Sequence, residues 1–225
     1  MLGPTRAVIA TAAAGSMVSS TAVTASLATR MRDGTEGTPI LAAGVSAASV
    51  VMFLRVVALT AAIAPFALLP LIRLIVPGML VSLVITAWYL RKVPRGPTSQ
   101  IEEDVPMRNP FDLAPAFILT ALVMALTVAA RWVLEQFGDR ELALVLAVSG
   151  TVDVDSTIIT MGNLPSDTLP QTTAALVLAF SVTLNTLFKG FVSASVGGWT
   201  KGKHGALPLV AAALAVIAGA LVMIF

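Results

Sequence analysis

The sequence predicts an all-α polytopic membrane protein of about seven transmembrane helices, with residues 1–225 forming a single transmembrane domain. Three observations lead there. Hydrophobic residues make up 57% of the chain and charged residues only 12%, about half the charged share of soluble domains. Mean hydropathy is +0.92. The apolar residues also fall into runs of about 20, the length that crosses ~30 Å of hydrocarbon.

The first span, about 5–28, is rich in Ser and Thr ("TAAAGSMVSSTAVTASLAT") and lacks the charged flank and cleavage site of a removable leader. The polar turn "RMRDGTEGTP" leads to the second, about 40–64. Pro65 and Pro70 bracket a tight link to the third, about 71–90, where Pro77 and Gly78 predict a kink. Trp88 and Tyr89 followed by Arg91 and Lys92 read as an interfacial aromatic anchor beside snorkelling cations. The loop "RKVPRGPTSQIEEDVPMRNPFD" divides the chain. Asp112 caps a fourth span, about 113–134, on which Arg131 and Glu135 form a surface pair. Asp139 caps the fifth, about 140–162; the sixth covers about 171–196 and the seventh about 206–225.

Aligning Gly15 with Gly150 sets Ser20 opposite Asp155 and brings Arg55 and Lys189 to nearly equivalent positions. Spans one to three (1–91) then match spans five to seven (140–225), with 92–139 as the link. Repeats that start four spans apart share an orientation, so this is a parallel three-one-three arrangement. The positive-inside rule gives no orientation, because six cations fall on each side. Arg6, Arg73, Arg131, Arg140, Lys201 and Lys203 oppose Arg30, Arg32, Arg91, Lys92, Arg95 and Arg108. The cluster Arg91, Lys92 and Arg95 favours the cytoplasm for its own loop; the even count also admits dual topology.

Several chemistries are excluded. There is no cysteine, and the single histidine, His204, lies in the polar loop "TKGKHG", so neither disulfides nor a soft-metal cage can form within one chain. A net charge of +2 provides no basic face for nucleic acid. No nucleophile–base pair, phosphate loop or metalloprotease motif occurs, so an enzyme is not expected, nor is a covalent cofactor.

The chemistry lies in "SGTVDVDSTIIT", residues 149–160, where Asp153 and Asp155 sit inside an apolar run. Each acid costs about 2.5–3.5 kcal/mol to insert at a helix centre. On a regular helix Ser149, Asp153, Ser156, Thr160 and Asn163 follow spacings of 4, 3, 4 and 3, one polar stripe with Thr157 at its flank. Asp155 then points about 200° away, unless the chain unwinds at Gly150 and Thr151 and both acids converge. The sixth span offers Ser181, Asn185 and Lys189 at spacings of four. The first half offers Ser16, Ser19, Ser20, Thr21 and Thr24, with Arg55 on the second span.

Two readings follow. In the first, carboxylate, hydroxyl and amide oxygens line a path for a small cation: Asp153, Asp155, Asn185, Ser20, Thr21, Ser156 and Thr157 are ligands, and Arg55 and Lys189 are counter-charges. In the second, the same acids and bases are ion pairs that fix helix register, and the stripe is a dimer interface. A proton-coupled exporter of organic solutes is less favoured, since Trp88, Trp132, Trp199 and Tyr89 mostly sit near span ends.

The segments "SSTAVTASLATR", "LAAGVSAASVVMFLRVVAL", "NPFDLAPAFILTALVMALTVAARWVLEQFGD", "SGTVDVDSTIIT" and "LNTLFKG" resemble the domain-of-unknown-function family (4010) found at the C-terminal end of MgtC/SapB-type bacterial membrane proteins. The resemblance covers essentially the whole chain and is specific at "NPF", "SGxxDxD" and "NTxxK". It implies a link to magnesium homeostasis and proposed metal-ion transport, and it carries Ser19, Ser20, Thr21, Thr24, Arg55, Asp153, Asp155, Asn185 and Lys189 as motif residues. The resemblance does not extend to an MgtC-like N-terminal half, so no role of that half is carried over. The resulting expectation is a multi-pass homodimer in the bacterial inner membrane that moves a small cation, a divalent metal ion being favoured.

Overall fold

A computed structural model of the chain describes residues 4–34, 37–93, 124, 128, 145–151, 153–164 and 169–224. Among the described residues every regular element is helical: α1 (Pro4–Asp33), α2 (Thr38–Ile63), α3 (Pro65–Lys92), α4 (Val154–Gly162), α5 (Gln171–Val196) and α6 (Lys203–Ile224). A short helical segment, 145–149, precedes α4, and a wide helical turn, Gly198–Gly202, leads into α6. Five stretches are long and apolar enough to cross a membrane: Ala7–Asp33, Thr38–Ile63, Pro65–Lys92, Gln171–Val196 and Gly198–Met223. The chain is a multi-pass membrane protein. The expected fourth span, with Asp112, Arg131, Glu135 and the Asp139 cap, lies outside the described residues.

Local chemistry explains the elements. Pro4 and Pro65 occupy first helical positions, where a missing N–H is harmless. Within α1 the hydroxyls fold back onto the preceding turn. Thr11 donates to the Ala7 carbonyl at 2.8 Å, Ser16 to Ala12 at 2.6 Å, Thr24 to Ser20 at 2.8 Å and Thr29 to Ala25 at 3.0 Å. Such bonds let polar side chains enter lipid without an unpaired donor. Gly34, at φ +71, ends α1 by donating to the Arg30 carbonyl at 3.0 Å. That left-handed position is one glycine adopts without a side-chain penalty. The α2–α3 link is tighter than expected: α3 already begins at Pro65, and Pro70 lies inside it.

The described residues form two compact units. The first comprises Met1–Leu54, Gly78–Met107 and Thr186–Ala215. Its core packs Leu27 and Met31 of α1 against Leu41 and Val45 of α2 and Leu209 of α6, and Ser46 donates to the Ser82 carbonyl at 2.9 Å. The second comprises Arg55–Pro77, Arg108–Asn185 and Val216–Phe225. There Gly219 of α6 lies against Leu74 and Pro77 of α3; a Cβ at 219 would be 3.2 Å from the Leu74 carbonyl oxygen. Large apolar side chains such as Leu69, Val84, Phe191, Leu214 and Val222 face outward, as a lipid-facing surface requires.

The helix directions differ from the parallel repeat expected above. Within the first unit the end of α3 meets the start of α6, where the Tyr89 hydroxyl donates to the His204 carbonyl at 3.2 Å. Within the second, the start of α3 meets the later part of α6 at Leu74 and Gly219. These helices therefore run antiparallel, whereas corresponding helices of a parallel repeat share a direction.

Candidate functional site: two broken helices and their cations

The fifth expected span is not one regular helix. Segment 145–149 closes in a turn, with Gly150 N–H donating to Leu146 at 3.3 Å and Thr151 N–H to Val148 at 3.0 Å. The chain is extended at Asp153 (φ −149, ψ 109) and becomes helical again at Val154. Asp153 is therefore the N-cap of α4. Its carboxylate accepts from the backbone N–H of Asp155 at 3.2 Å, from that of Ser156 at 3.3 Å, and from the Ser156 hydroxyl at 2.5 Å. A cap of this kind satisfies otherwise orphaned helix-end donors and places negative charge at the positive end of the helix. The 4-3-4-3 stripe fails for the same reason, because helical phase is lost between Ser149 and Val154. The alternative of an unwound Gly150–Thr151 is the one observed.

A broken helix in lipid exposes carbonyls, and four polar side chains cover them. Ser149 donates to Leu146 at 2.8 Å, and Thr157 to Leu146 at 3.2 Å. Ser181 on α5 reaches the Leu146 and Ala147 carbonyls at 3.3 and 3.2 Å. Asn185 donates to the Thr151 carbonyl at 3.0 Å. Thr157 and Asn185, expected as ion ligands, each donate to a backbone carbonyl here, and Ser149 joins Thr157 at 3.2 Å. Gly150 permits the approach of α5: a Cβ there would stand 3.1 Å from the Cα of Ser181 and overlap its side chain. Thr160 is buried on α4, and Asn163 is the exposed C-cap.

Asp155 points from the first turn of α4 to Arg55 of α2, whose Nη2 forms an ion pair with its Oδ2. Asp155 is 7% exposed, and Arg55 is partly buried and also feels the charge of Asp153. All of these residues belong to the second unit.

The first unit contains a comparable break. Ser19 interrupts α1 with extended backbone (φ −155, ψ 103), and its hydroxyl accepts from the Ala22 N–H at 3.2 Å. Beside it the fully buried Lys189 donates to the Ser20 hydroxyl at 2.9 Å. Thr24 is buried one turn on and Thr21 is half-buried. The expected site residues therefore sort into two groups. Asp153, Asp155, Ser156 and Arg55 meet at one break; Ser19, Ser20 and Lys189 meet at the other.

The sequence matches the family described as "Domain of unknown function (DUF4010)" over residues 1–197. The chain belongs to the DUF4010 family. The chain is also similar to an "Uncharacterized protein" of Aquifex aeolicus (strain VF5), 26% identical over 186 residues that cover 82% of this chain and 80% of that one. No solved structure matches.

Among the described residues, two carboxylates and one guanidinium meet at the α4 break, a sum of one net negative charge when all three are ionised. Among the described residues no three His, Asp or Glu side chains gather where they could hold a metal ion. An ion at this break would have Asp153 and Asp155 as its charged ligands, with hydroxyls and backbone carbonyls as the neutral ones. The capping role of Asp153 differs from the ligand role expected of it; its sequence signal is an Asp placed directly before the apolar helical stretch that begins at Val154, shortly after Gly150.

Proposed function

We propose that this DUF4010 protein is a transporter or channel for small cations in the bacterial inner membrane, working as a homodimer, with Asp153 and Asp155 as the groups that receive the cation. The observation that carries this reading is the broken helix α4. It places two carboxylates, Asp153 and Asp155, within an apolar stretch of sequence, and among the described residues the cation that meets them is Arg55. Uncompensated charge within a membrane is costly, and intramembrane acids are typically functional. Discontinuous helices with exposed backbone and charged groups are the usual material of transporter ion sites.

The charge count also orders the candidate cations. One proton or one Na⁺ brings the cluster to neutrality while Arg55 keeps Asp155. A divalent ion such as Mg²⁺, Mn²⁺, Ca²⁺ or Zn²⁺, which hard oxygen donors favour, brings it to one net positive charge unless Arg55 swings away. Monovalent cations therefore lead, and divalent ions require Arg55 to act as a displaceable arm. The Ser156 hydroxyl and the backbone N–H groups of Asp155 and Ser156 donate to Asp153, so whatever binds Asp153 competes with a hydroxyl and two backbone donors. Asp155, held among the described residues by Arg55 of another helix, is the easier group to exchange.

The rival reading is a membrane scaffold or regulator that transports nothing. It gains from the Arg55–Asp155 pair and from the use of Ser181, Thr157 and Asn185 on backbone carbonyls. Flux through purified protein in liposomes separates the two. Transport predicts cation flux that Asp155→Asn abolishes; the scaffold predicts no flux and loss of the dimer on Asp153→Asn.

A further inference from the structure

The first unit gathers cations that the seven-span count puts on opposite sides. Lys201 Nζ donates to the Arg32 carbonyl at 3.2 Å, which joins the turn before α6 to the end of α1. The Tyr89–His204 bond joins the end of α3 to the same place. Arg32, Arg91, Lys92, Lys201 and Lys203 are all exposed there, and the acid described among them, Asp33, is paired with Arg32. Trp199 is 79% exposed and Trp88 49%, with Lys92 Nζ 3.6 Å from the Trp88 ring centroid. In the second unit Arg73 is the exposed cation described on α3.

We propose that this end of the first unit is a binding surface for anionic phospholipid headgroups of the cytoplasmic leaflet. Charge complementarity selects the partner, because clustered Lys and Arg at a membrane boundary attract anionic lipid. The exposed indoles set the depth, since Trp prefers the headgroup level. The positive-inside rule, uninformative on the sequence count, then places this end in the cytoplasm. The test uses the full chain in nanodiscs of phosphatidylcholine alone or with phosphatidylglycerol. Phosphatidylglycerol should raise the Tm by several degrees, and the Lys201→Glu/Lys203→Glu variant should lose most of that rise while Arg73→Glu keeps it. Equal Tm in both lipids, or an unchanged rise in the double variant, overturns the proposal. Native mass spectrometry gives a second readout: wild type should retain phosphatidylglycerol preferentially, and no preference counts against the surface.

A separate observation concerns register. Adding 134 to Ser19 gives Asp153, and both are extended caps whose side chains accept from the N–H three residues later. Adding 134 to Arg55 gives Lys189. Adding 134 to α2, 38–63, gives 172–197, within one residue of α5 at 171–196. The corresponding helices α3 and α6 run antiparallel. We infer that residues 4–92 and 145–224 are inverted copies of one helical unit, each lending its base to the break of the other: Arg55 to Asp155, and Lys189 to Ser20.

The cysteine-free chain makes the test direct. Gly37→Cys, Thr200→Cys and Gln171→Cys lie at described, exposed positions and are probed with a membrane-impermeant maleimide in oriented vesicles. Inverted copies predict that Gly37→Cys and Thr200→Cys react from one side and Gln171→Cys from the other. The parallel seven-span arrangement groups Gly37→Cys with Gln171→Cys, and that result would sink the inference. Equivalence of the two bases has its own readout. The exchange Arg55→Lys/Lys189→Arg should hold its Tm within a few degrees, while Lys189→Met falls by more. An exchange as damaging as Lys189→Met contradicts it.

Discussion

Arg55→Met tests the α4 break most sharply, because it removes the cation and leaves the aliphatic volume. The side chains of Arg55 and Asp155 are 27% and 10% exposed, so the pair is largely but not wholly desolvated. Breaking a buried pair by removing one partner costs about 3–5 kcal/mol, whereas replacing both with apolar groups is often close to neutral. The residual exposure of Arg55 argues for the lower end, about 3 kcal/mol. In a chain of this length that corresponds to a fall in Tm of about 6–12 °C. Asp155→Leu placed on Arg55→Met should return most of it, giving a coupling of about 2–3 kcal/mol in a double-mutant cycle. The assay is thermal unfolding of purified protein in one detergent, followed by tryptophan fluorescence. A loss below about 1 kcal/mol for Arg55→Met, or a double variant no better than the single, would refute the claim that Arg55 holds Asp155 in a low-dielectric setting.

Other outcomes follow from the same geometry. Gly150→Ala should destabilise by about 1–3 kcal/mol through overpacking against Ser181, while Thr151→Ala, which adds no bulk, should cost less in the same unfolding assay. Asn185→Leu strands the Thr151 carbonyl and should lower stability by about 1–3 kcal/mol, with Asn185→Gln recovering part of it. Asp153→Ala removes an N-cap and should cost about 1 kcal/mol or more; Asp153→Asn, which keeps acceptor geometry, should cost less while changing the site's charge. Hydrogen exchange across 154–157 should rise in the Ala variant first.

Much of the fold was legible because lipid imposes a simple rule: about 20 apolar residues per span, broken by Pro, Gly and charge. The ends of α2, α5 and the anchor at Trp88 and Lys92 follow from it directly. Direction was not legible. Apolar helices carry little information about which way they run, and the Tyr89–His204 and Gly219–Leu74 approaches reveal it. The site was half legible. Two acids in an apolar run draw attention to the stretch from the sequence alone, and the structure pairs one of them, Asp155, with Arg55. The stripe misled, because periodicity assumes unbroken helix, while Gly150 and the capping habit of Asp153 both favour a break. Once the helix breaks, its carbonyls need donors, and Thr157, Ser181 and Asn185 supply them.

Ion-resolved flux through the purified protein reconstituted in liposomes addresses the central claim directly. Proton, Na⁺ and Mn²⁺ are followed separately, in wild type and in Asp155→Asn. The account predicts flux of a monovalent cation in wild type, falling at least tenfold in Asp155→Asn with the fold retained. Wild-type flux unchanged by that substitution, or no flux of any cation from protein that remains folded, would contradict it.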